Sequence, residues 1–306
     1  MGDKFSRREF FRKAGIIGVS TVGFGLAGGP LFNLFEDEAE AAGSVLSVAS
    51  GGNPEEMVKR AVDGLGGISR FVKKGNSVCI KPNLAWARKP GEAANTNPAV
   101  LSGIIKLCKQ AGASRITVID FTCDPSSTTF DLSGAHAVCS RLSTRLVSGD
   151  NPGLYKSVQI PKGKSLTSDK CLRNILDADV FINVPIAKNH ASGVVTASMK
   201  NLMGASHDRA SWHGKDLHQC IADYATAVRP NLIILDAVKI LLTHGPKGPG
   251  QTKDVGQVIA STDPVAVDSY AARLIGKKPQ DVKYIVEAYN FHLGQMDLSK
   301  VSMKRA

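Results

Sequence analysis

Paired cysteines at metal-binding spacing are missing from this sequence. The chain contains six cysteines, and no two of them form a Cys-x-x-Cys pair. This absence argues against a ferredoxin-type iron–sulfur cluster or a zinc ribbon built from this chain alone. Three of the cysteines lie among apolar residues and are expected to be small buried hydrophobic side chains: Cys79, Cys108 and Cys171.

Three common catalytic signatures are also missing. No Gly-x-Ser-x-Gly elbow, Walker phosphate loop or Gly-x-Gly-x-x-Gly turn follows a predicted strand. Such turns present a nucleophilic serine or a set of backbone N–H groups that hold phosphates. The α/β-hydrolase, P-loop and Rossmann classes are therefore left without their characteristic motifs.

Long basic runs and aromatic-rich basic strips are absent as well, although the net charge is +11. Most lysines and arginines stand singly, and two adjacent lysines occur at Lys73-Lys74 and at Lys277-Lys278. Nucleic-acid binding is not expected, because it needs a concentrated basic surface. The charge indicates either a solvated basic surface or a cleft that attracts a small anionic ligand.

The N-terminal segment has the pattern of a twin-arginine export signal. Arg7 and Arg8 precede a hydrophobic pair and further basic residues, and a Gly-rich apolar run occupies residues 14–34. A small-x-small cleavage site follows, so we expect cleavage near Ala41. We predict a signal peptide over residues 1–41, export to the periplasm by the twin-arginine machinery, and a single domain over residues 42–306.

An uncleaved membrane anchor is the alternative for this segment, but its many glycines make it less apolar than a membrane span. The twin-arginine route moves proteins that are already folded, often after a cofactor has been inserted. The export pattern therefore raises the expectation of a bound metal or organic cofactor.

Short apolar runs alternate with helical patterns through the remaining chain. The runs are continuous rather than strictly alternating, which is typical of parallel strands covered on both faces. The sequence predicts an α/β fold with a mainly parallel sheet, helices on both faces, a helix from Ser168 through Leu176, and a possible inserted subdomain near residues 122–151. The predicted strands are Val45–Ala49, Val78–Lys81, Ile116–Asp120, Val158–Ile160, Val180–Val184, Leu232–Asp236 and Val255–Ala260.

The most informative stretch follows the central strand Val180–Val184. Pro185 is expected to end the strand, and a loop containing Lys188 and His190 follows it. A second basic residue, Lys200, lies in a segment that could form a short helix ending at a glycine. Because α/β proteins place sites where strands open into loops, we predict Lys188, His190 and Lys200 as catalytic candidates.

Four further positions are candidates for ligand binding. Lys81 and Asn83 flank a proline at the end of another strand, and Asn201 directly follows Lys200. These side chains could meet Lys188 around one anion. Asp236 ends the strand Leu232–Asp236 and is a candidate for the same reason. The alternative is that the amides satisfy their own turns and the lysines are solvated.

Histidines are concentrated shortly after this stretch. Imidazole is a ligand for zinc, iron, nickel and copper, so a transition metal held by several of them is a candidate cofactor. Their spacing is not the i, i+4 pair of a helical zinc motif, and isolated surface histidines are the alternative. The candidate metal ligands are His190, His207, His213 and His218.

Six short segments, in order along the chain, match a known family pattern. They are Ile80-Lys81-Pro82-Asn83, Asn183-Val184-Pro185 with Lys188 and His190, Met199 to Gly204, Leu235-Asp236-Ala237, Gly245-Pro246 with Gly248, and Ala260 to Asp268. With these segments the chain resembles the domain-of-unknown-function family numbered 362. Many members of that family carry an appended ferredoxin module, whereas this chain has no ferredoxin-type cysteine pattern.

A fainter resemblance links the segment from His190 to Gly204 with nickel-pincer lactate racemases. That resemblance implies a nickel ligand at His190 and a covalently bound pincer nucleotide at Lys200. The segment before Lys200 departs from the racemase pattern because it lacks the Gly-Gly-Arg sequence.

Two functions remain open from the sequence. One is an exported metal- or cofactor-dependent enzyme of redox or isomerase type that acts on a small anionic substrate, with a separate redox protein as a possible partner. The other is a non-catalytic exported protein that binds or matures a component of a redox system.

Overall fold

A sheet of mostly parallel strands forms the centre of the structure, a computed structural model that describes residues 43–306. The predicted export signal lies outside these residues. The strands are β1 (Val45–Ser50), β2 (Ser77–Pro82), β3 (Arg115–Asp120), β4 (Arg145–Ser148), β5 (Tyr155–Gln159), β6 (Ser168–Leu172), β7 (Val180–Val184), β8 (Ile186–His190), β9 (Val194–Thr196), β10 (Leu232–Leu241), β11 (Thr252–Ser261) and β12 (Ser302–Arg305).

Helices precede and follow most of these strands. They are α1 (Pro54–Asp63), α2 (Pro98–Gln110), α3 (Ser126–Leu132), α4 (Ala135–Arg141), α5 (Arg173–Leu176), α6 (Ser198–Asn201), α7 (Leu217–Ala227), α8 (Pro264–Leu274) and α9 (Lys283–Asn290). Asn53 and Asn97 cap α1 and α2 by accepting a backbone N–H, as their sequence positions predict.

The main sheet has the order β12-β1-β11-β10-β7-β2-β3-β4. The five strands from β10 to β4 run parallel, and β11 is antiparallel to both of its neighbours. The predicted mainly parallel sheet is therefore confirmed. Since parallel strands end at the same edge, the carboxyl ends of β2, β3 and β7 lie side by side.

The sheet separates two hydrophobic cores. Ile80 on β2 and Ile182 on β7 belong to the core beneath α1, α2 and α4. Their neighbours Cys79 and Phe181 face the core beneath α7, α8 and α9. Because successive side chains of a strand point to opposite faces, continuous apolar runs are what such a double-covered sheet requires.

Several local predictions are wrong in instructive ways. Pro185 ends β7 as predicted, but the segment after it is the strand β8 rather than a loop, and β8 pairs in parallel with β10. Ser168 begins the strand β6, which pairs with β5 in a separate two-stranded sheet, and only residues 173–176 are helical. Residues 122–151 contain α3, α4 and the edge strand β4 of the main sheet, rather than an inserted subdomain.

No helix within residues 43–306 is both long and apolar enough to cross a bilayer.

Asp236 lies in the middle of β10 rather than at a strand end, because β10 continues to Leu241. Its Oδ2 accepts the backbone N–H of Asn97 at 2.7 Å, and its Oδ1 accepts that of Val238 at 3.0 Å. Burial raises the pKa of this carboxyl group to about 6. The side chain thus joins the start of α2 to the sheet and is not available to a ligand.

We expect Asp236→Asn to lower the free energy of unfolding by about 1–3 kcal/mol. The NH2 group of the asparagine would replace one carboxylate oxygen and would face a backbone N–H that needs an acceptor. Urea unfolding at neutral pH measures this loss. The matched control is Asp254→Asn on the adjacent β11, where the side chain is 79% exposed and the change should stay within about 0.5 kcal/mol. Equal losses in the two variants would contradict the structural role of Asp236.

Candidate functional site

A cavity of about 380 Å³ opens at the carboxyl edge of the parallel strands. It lies where β2, β3 and β7–β8 end and where α6 begins. Basic side chains outnumber acidic ones in its lining. Among the described residues, Asp120 is the one carboxylate that lines the cavity. The polar lining residues are Lys81, Asn83, Asp120, Cys123, Lys188, His190, Thr196, Lys200, Asn201, Arg209 and His213.

Lys81 and Asp120 form a buried ion pair at the floor of the cavity. Lys81 Nζ lies 2.7 Å from Asp120 Oδ1, and both side chains are almost fully excluded from solvent. Asp120 also accepts the backbone N–H groups of Leu84 and Phe121. Burial lowers the pKa of Lys81, and the nearby Asp120 carboxylate opposes this effect. The carboxylate is therefore fully engaged by its own surroundings.

A chain of amides holds the lysines in place. The side chain of Asn201 donates to Asn183 Oδ1 at 2.8 Å, and its Oδ1 accepts from Asn83 at 2.8 Å and from Lys81 at 3.2 Å. Asn183 in turn donates to Ser198 at the start of α6. Each amide both donates and accepts, as buried carboxamides must. The network thus joins β7 and the end of β2 to the helix that carries Lys200.

Lys188 is buried beside this network. Its ammonium group donates to Asn83 Oδ1 at 2.9 Å and to the carbonyl oxygen of Ala94. No carboxylate within the described residues pairs with it. Burial, followed by the charge of Lys200, lowers the pKa of Lys188 to about 7. Lys188 is therefore ready to exchange a proton near neutral pH.

Lys200 is the most exceptional group of the cavity. The residue is 8% exposed, and its Nζ has no hydrogen-bond or ion-pair partner within residues 43–306. Burial lowers its pKa to about 8, and the charges of Arg209 and Lys81 act in the same direction. An unpaired, desolvated amine that lines a cavity has the properties of a base or a nucleophile.

Two local features position Lys200. Both carboxylate oxygens of Asp268 accept backbone N–H groups at the start of α6, from Ser198 at 2.6 Å and Met199 at 3.1 Å. A Cβ at Gly193 would lie 3.1 Å from the Lys200 Cε, so any larger side chain there would press against the lysine stem. The turn at residue 193 and the helix at residue 198 therefore confine the side chain between them.

His190 lines the same cavity with an ordered ring. Its Nδ1 accepts the backbone N–H groups of Ser192 at 3.2 Å and Gly193 at 3.1 Å. Burial and the charges of Lys200 and Lys188 lower its pKa to about 2, so the ring is neutral. A neutral imidazole that accepts at Nδ1 carries its proton on Nε2. His190 therefore offers a hydrogen-bond donor to the cavity.

The other candidate histidines do not assemble around His190. His207 is hydrogen-bonded to Asp208 and packs edge-on against Tyr155. His218 stacks on Tyr284 and accepts its backbone N–H. Only His213 also lines the cavity, from an exposed position.

A transition metal does not fit this arrangement. Coordination at His190 Nε2 would move the ring proton to Nδ1, where it would face two N–H donors. No group of three or more His, Cys, Asp or Glu side chains in residues 43–306 could hold a metal ion. The covalently bound nucleotide that the racemase resemblance implies at Lys200 stays a prediction.

Three residues of the site are not among the candidates from the sequence: Asp120 and Arg209 line the cavity, and Asn183 supports it through Asn201. Asp120 ends the predicted strand Ile116–Asp120, so its position at a strand end marks it as a candidate in the same way as Asp236. Asn183 was visible as the polar residue within the apolar central strand. Arg209 donates to the carbonyl oxygens of Phe121 and Thr122 and lies 3.9 Å from the Phe121 ring, an approach that no local pattern indicates.

Residues 78–273 match the family described as a domain of unknown function, DUF362. The chain belongs to this family. A relative of similar sequence is the thylakoid-associated protein sll1697 of Synechocystis sp., which is 27% identical over 260 residues, 82% of this chain and 76% of the relative. The expected family membership is thus confirmed.

Two solved structures are similar in fold. One is the lactate racemase apoprotein from Thermoanaerobacterium thermosaccharolyticum, with a TM-score of 0.41, 14% identity and coverage of 74% of this chain. The other is a protein from Thermotoga maritima, with a TM-score of 0.41, 9% identity and coverage of 78% of this chain. The chain spans 56% and 60% of these two structures, respectively.

We expect Gly204→Ala to lower the free energy of unfolding by about 1–3 kcal/mol, because the added methyl group would overpack the cavity floor. Its Cβ would lie 2.3 Å from Asp120 Oδ1 and 2.7 Å from Lys81 Nζ. Chemical denaturation measures the loss. Gly214→Ala in the same segment is the control, since nothing lies within 4 Å of its added Cβ. A destabilisation as small as the control's would show that the ion pair is not packed against Gly204.

The pKa of Lys200 predicts a pH-dependent stability difference. The folded state has a pKa of about 8 at this site, whereas an unfolded lysine titrates near ~10.4. Between these pH values the unfolded state binds more protons than the folded state. The free energy of unfolding of the wild-type protein therefore rises with pH in this range. Lys200→Met should therefore be more stable than wild type at pH 7, and the gap should close by up to about 1.4 kcal/mol per pH unit above pH 8.

Urea unfolding of both proteins across this pH range measures the gap, and comparing the two cancels the titration of cysteines and tyrosines. The exposed Lys277→Met is the control and should show a gap that does not vary with pH. A constant difference between wild type and Lys200→Met would contradict the lowered pKa.

Proposed function

We propose that this protein is an exported enzyme that binds a small carbonyl-containing acid in the cavity and uses Lys200 as its reacting amine. The observation that carries the proposal is the Lys200 Nζ, which is buried, lines the cavity and has no partner within the described residues. With a pKa of about 8, about a tenth of this amine is neutral at pH 7.

The surroundings of Lys200 favour an anionic substrate. Asp120 is occupied by Lys81, so the charges of Lys200 and Arg209 lack a carboxylate in the cavity. The Nε2–H of His190 adds a neutral donor on the same side. A substrate carboxylate would supply the missing counter-charge and would be held beside the amine.

Lys200 supports proton-shift chemistry in either of two ways. The neutral amine can remove a proton from the carbon next to a carbonyl group, or it can attack the carbonyl carbon to form an imine with loss of water. Lys188, with its pKa of about 7, is a second group that can donate or accept the transferred proton. Both routes lead to an isomerase-type reaction.

Reductive trapping tests the proposal. The protein is incubated with pyruvate, a small 2-oxo acid, and with cyanoborohydride, which reduces an imine to a stable secondary amine. We expect one substrate-derived adduct on Lys200 by peptide mass spectrometry, formed faster as the pH rises from 7 to 9. Lys200→Met should lose the adduct, and Lys277→Met should keep it. Labelling spread over exposed lysines in all three proteins would overturn the proposal.

A non-catalytic binding protein is the second candidate, and one observation favours it. The carboxylate of Asp120 accepts three hydrogen bonds from its surroundings, so no free carboxylate is present among the described cavity residues for acid–base work. Salt-sensitive binding of a small carboxylate, without any trapped adduct, would select this alternative.

Export through the twin-arginine route is part of the proposal. The relative's association with thylakoids supports a location at or beyond a membrane. We expect Arg7→Lys combined with Arg8→Lys to keep the precursor in the cytoplasm, because the paired guanidinium groups are what the export machinery reads. Cell fractionation and intact mass measure the outcome, and Arg12→Lys is the control. Normal export of the double variant would contradict this route.

A further inference from the structure

A second, smaller cavity lies at the opposite edge of the main sheet. Its volume is about 180 Å³, and it is formed by the amino-terminal ends of β2, β3 and β4 together with α5. The strands that end at the lysine-rich cavity begin here. The two cavities are therefore separated by the length of the parallel strands.

Three arginines line this smaller cavity: Arg115, Arg145 and Arg173. Strand register explains the first two. Arg145 on β4 is opposite Thr117 on β3, and Arg115 lies two positions before Thr117, so both arginines point to the same face. Arg173 begins α5, whose residues line the same cavity. The fold thus gathers three distant sequence positions around one small space.

The charge of these arginines is not neutralised locally. Within residues 43–306, none of the three makes an ion pair or a hydrogen bond with another side chain or with the backbone. Asp177 is the one acidic residue of the lining, and both of its oxygens are bound by Lys156, at 2.6 Å and 2.9 Å. The cavity therefore has a surplus of guanidinium donors.

A neighbouring amide also lacks a partner. Asn174 lines the cavity, and its Oδ1 is buried without any hydrogen-bond donor. A buried acceptor of this kind needs a donor from a ligand or a water molecule. Arginine forks match the oxygens of a phosphate group, and a protonated phosphate oxygen or a neighbouring hydroxyl group would supply the donor that Asn174 lacks.

We propose that this cavity is a binding site for a phosphate group, either as free inorganic phosphate or as part of a small phosphate monoester. Arg115, Arg145 and Arg173 would bind the phosphate oxygens, and Asn174 would accept a hydrogen bond from the ligand. The site lies at the far edge of the sheet from Lys200 and does not depend on the reaction proposed there. Its concave shape and its volume suit one small oxyanion rather than an extended polyanion.

The test is a titration of the full protein with inorganic phosphate and with glycerol 3-phosphate, followed by calorimetry and by the melting temperature. Potassium chloride at equal ionic strength is the background. We expect saturable one-to-one binding that raises the melting temperature. Combining Arg115→Gln, Arg145→Gln and Arg173→Gln should weaken binding at least about tenfold, since charge-assisted hydrogen bonds are lost.

Two controls give the result its meaning. Replacing the exposed Lys253, Lys277 and Lys278 by glutamine removes the same amount of charge elsewhere and should leave the affinity within about twofold. Lys200→Met should also keep the affinity, because it alters the other cavity. Equal phosphate affinity in wild type and in the triple arginine variant would overturn the proposal, and so would a loss of affinity in Lys200→Met alone.

A lipid headgroup is the other source of the same chemistry. Flotation with phosphatidic acid vesicles, against phosphatidylcholine vesicles, separates this source from a soluble ligand. Binding to phosphatidic acid vesicles without binding to either soluble phosphate would overturn the small-ligand site.

Discussion

The ion pair between Lys81 and Asp120 determines the chemistry of the cavity around it. Asp120 is the one carboxylate in the described lining, and Lys81 and two backbone N–H groups already occupy it. Removing one partner of such a buried pair typically costs about 3–5 kcal/mol, so the arrangement is not easily exchanged. Lys188 and Lys200 are therefore left without a counter-charge that would oppose the effect of burial, and burial lowers the pKa of both amines.

The amide network explains why this arrangement is rigid. Asn83, Asn183 and Asn201 come from two strands and one helix, and each satisfies the others' donors and acceptors. A polar cluster of this kind stabilises the fold only when every member has a partner. Lys200 lies beside the network without joining it, which leaves its amine free for a ligand.

The fold and much of this site followed from sequence patterns, because burial and strand ends leave local signals. Lys81, Asn83, Lys188, His190, Lys200 and Asn201 all line or support the predicted site. Asp236 does not line the site, because β10 continues past it to Leu241. Where β10 ends depends on its partners β8 and β11, which the local sequence does not specify. The candidate metal-binding histidines do not come together for a related reason. Tertiary packing directs His207 toward Tyr155 and His218 toward Tyr284, which no local pattern indicates.

The central claim is that Lys200 carries an unpaired, desolvated amine, and its pKa is the most direct test. Reductive methylation with 13C-formaldehyde places an NMR probe on each lysine, and Lys200→Met assigns the signal. We predict a titration midpoint about two units below that of the exposed lysines, in agreement with a pKa of about 8. A Lys200 signal that titrates together with the exposed lysines would contradict the account, because it would show an amine that is hydrated or paired.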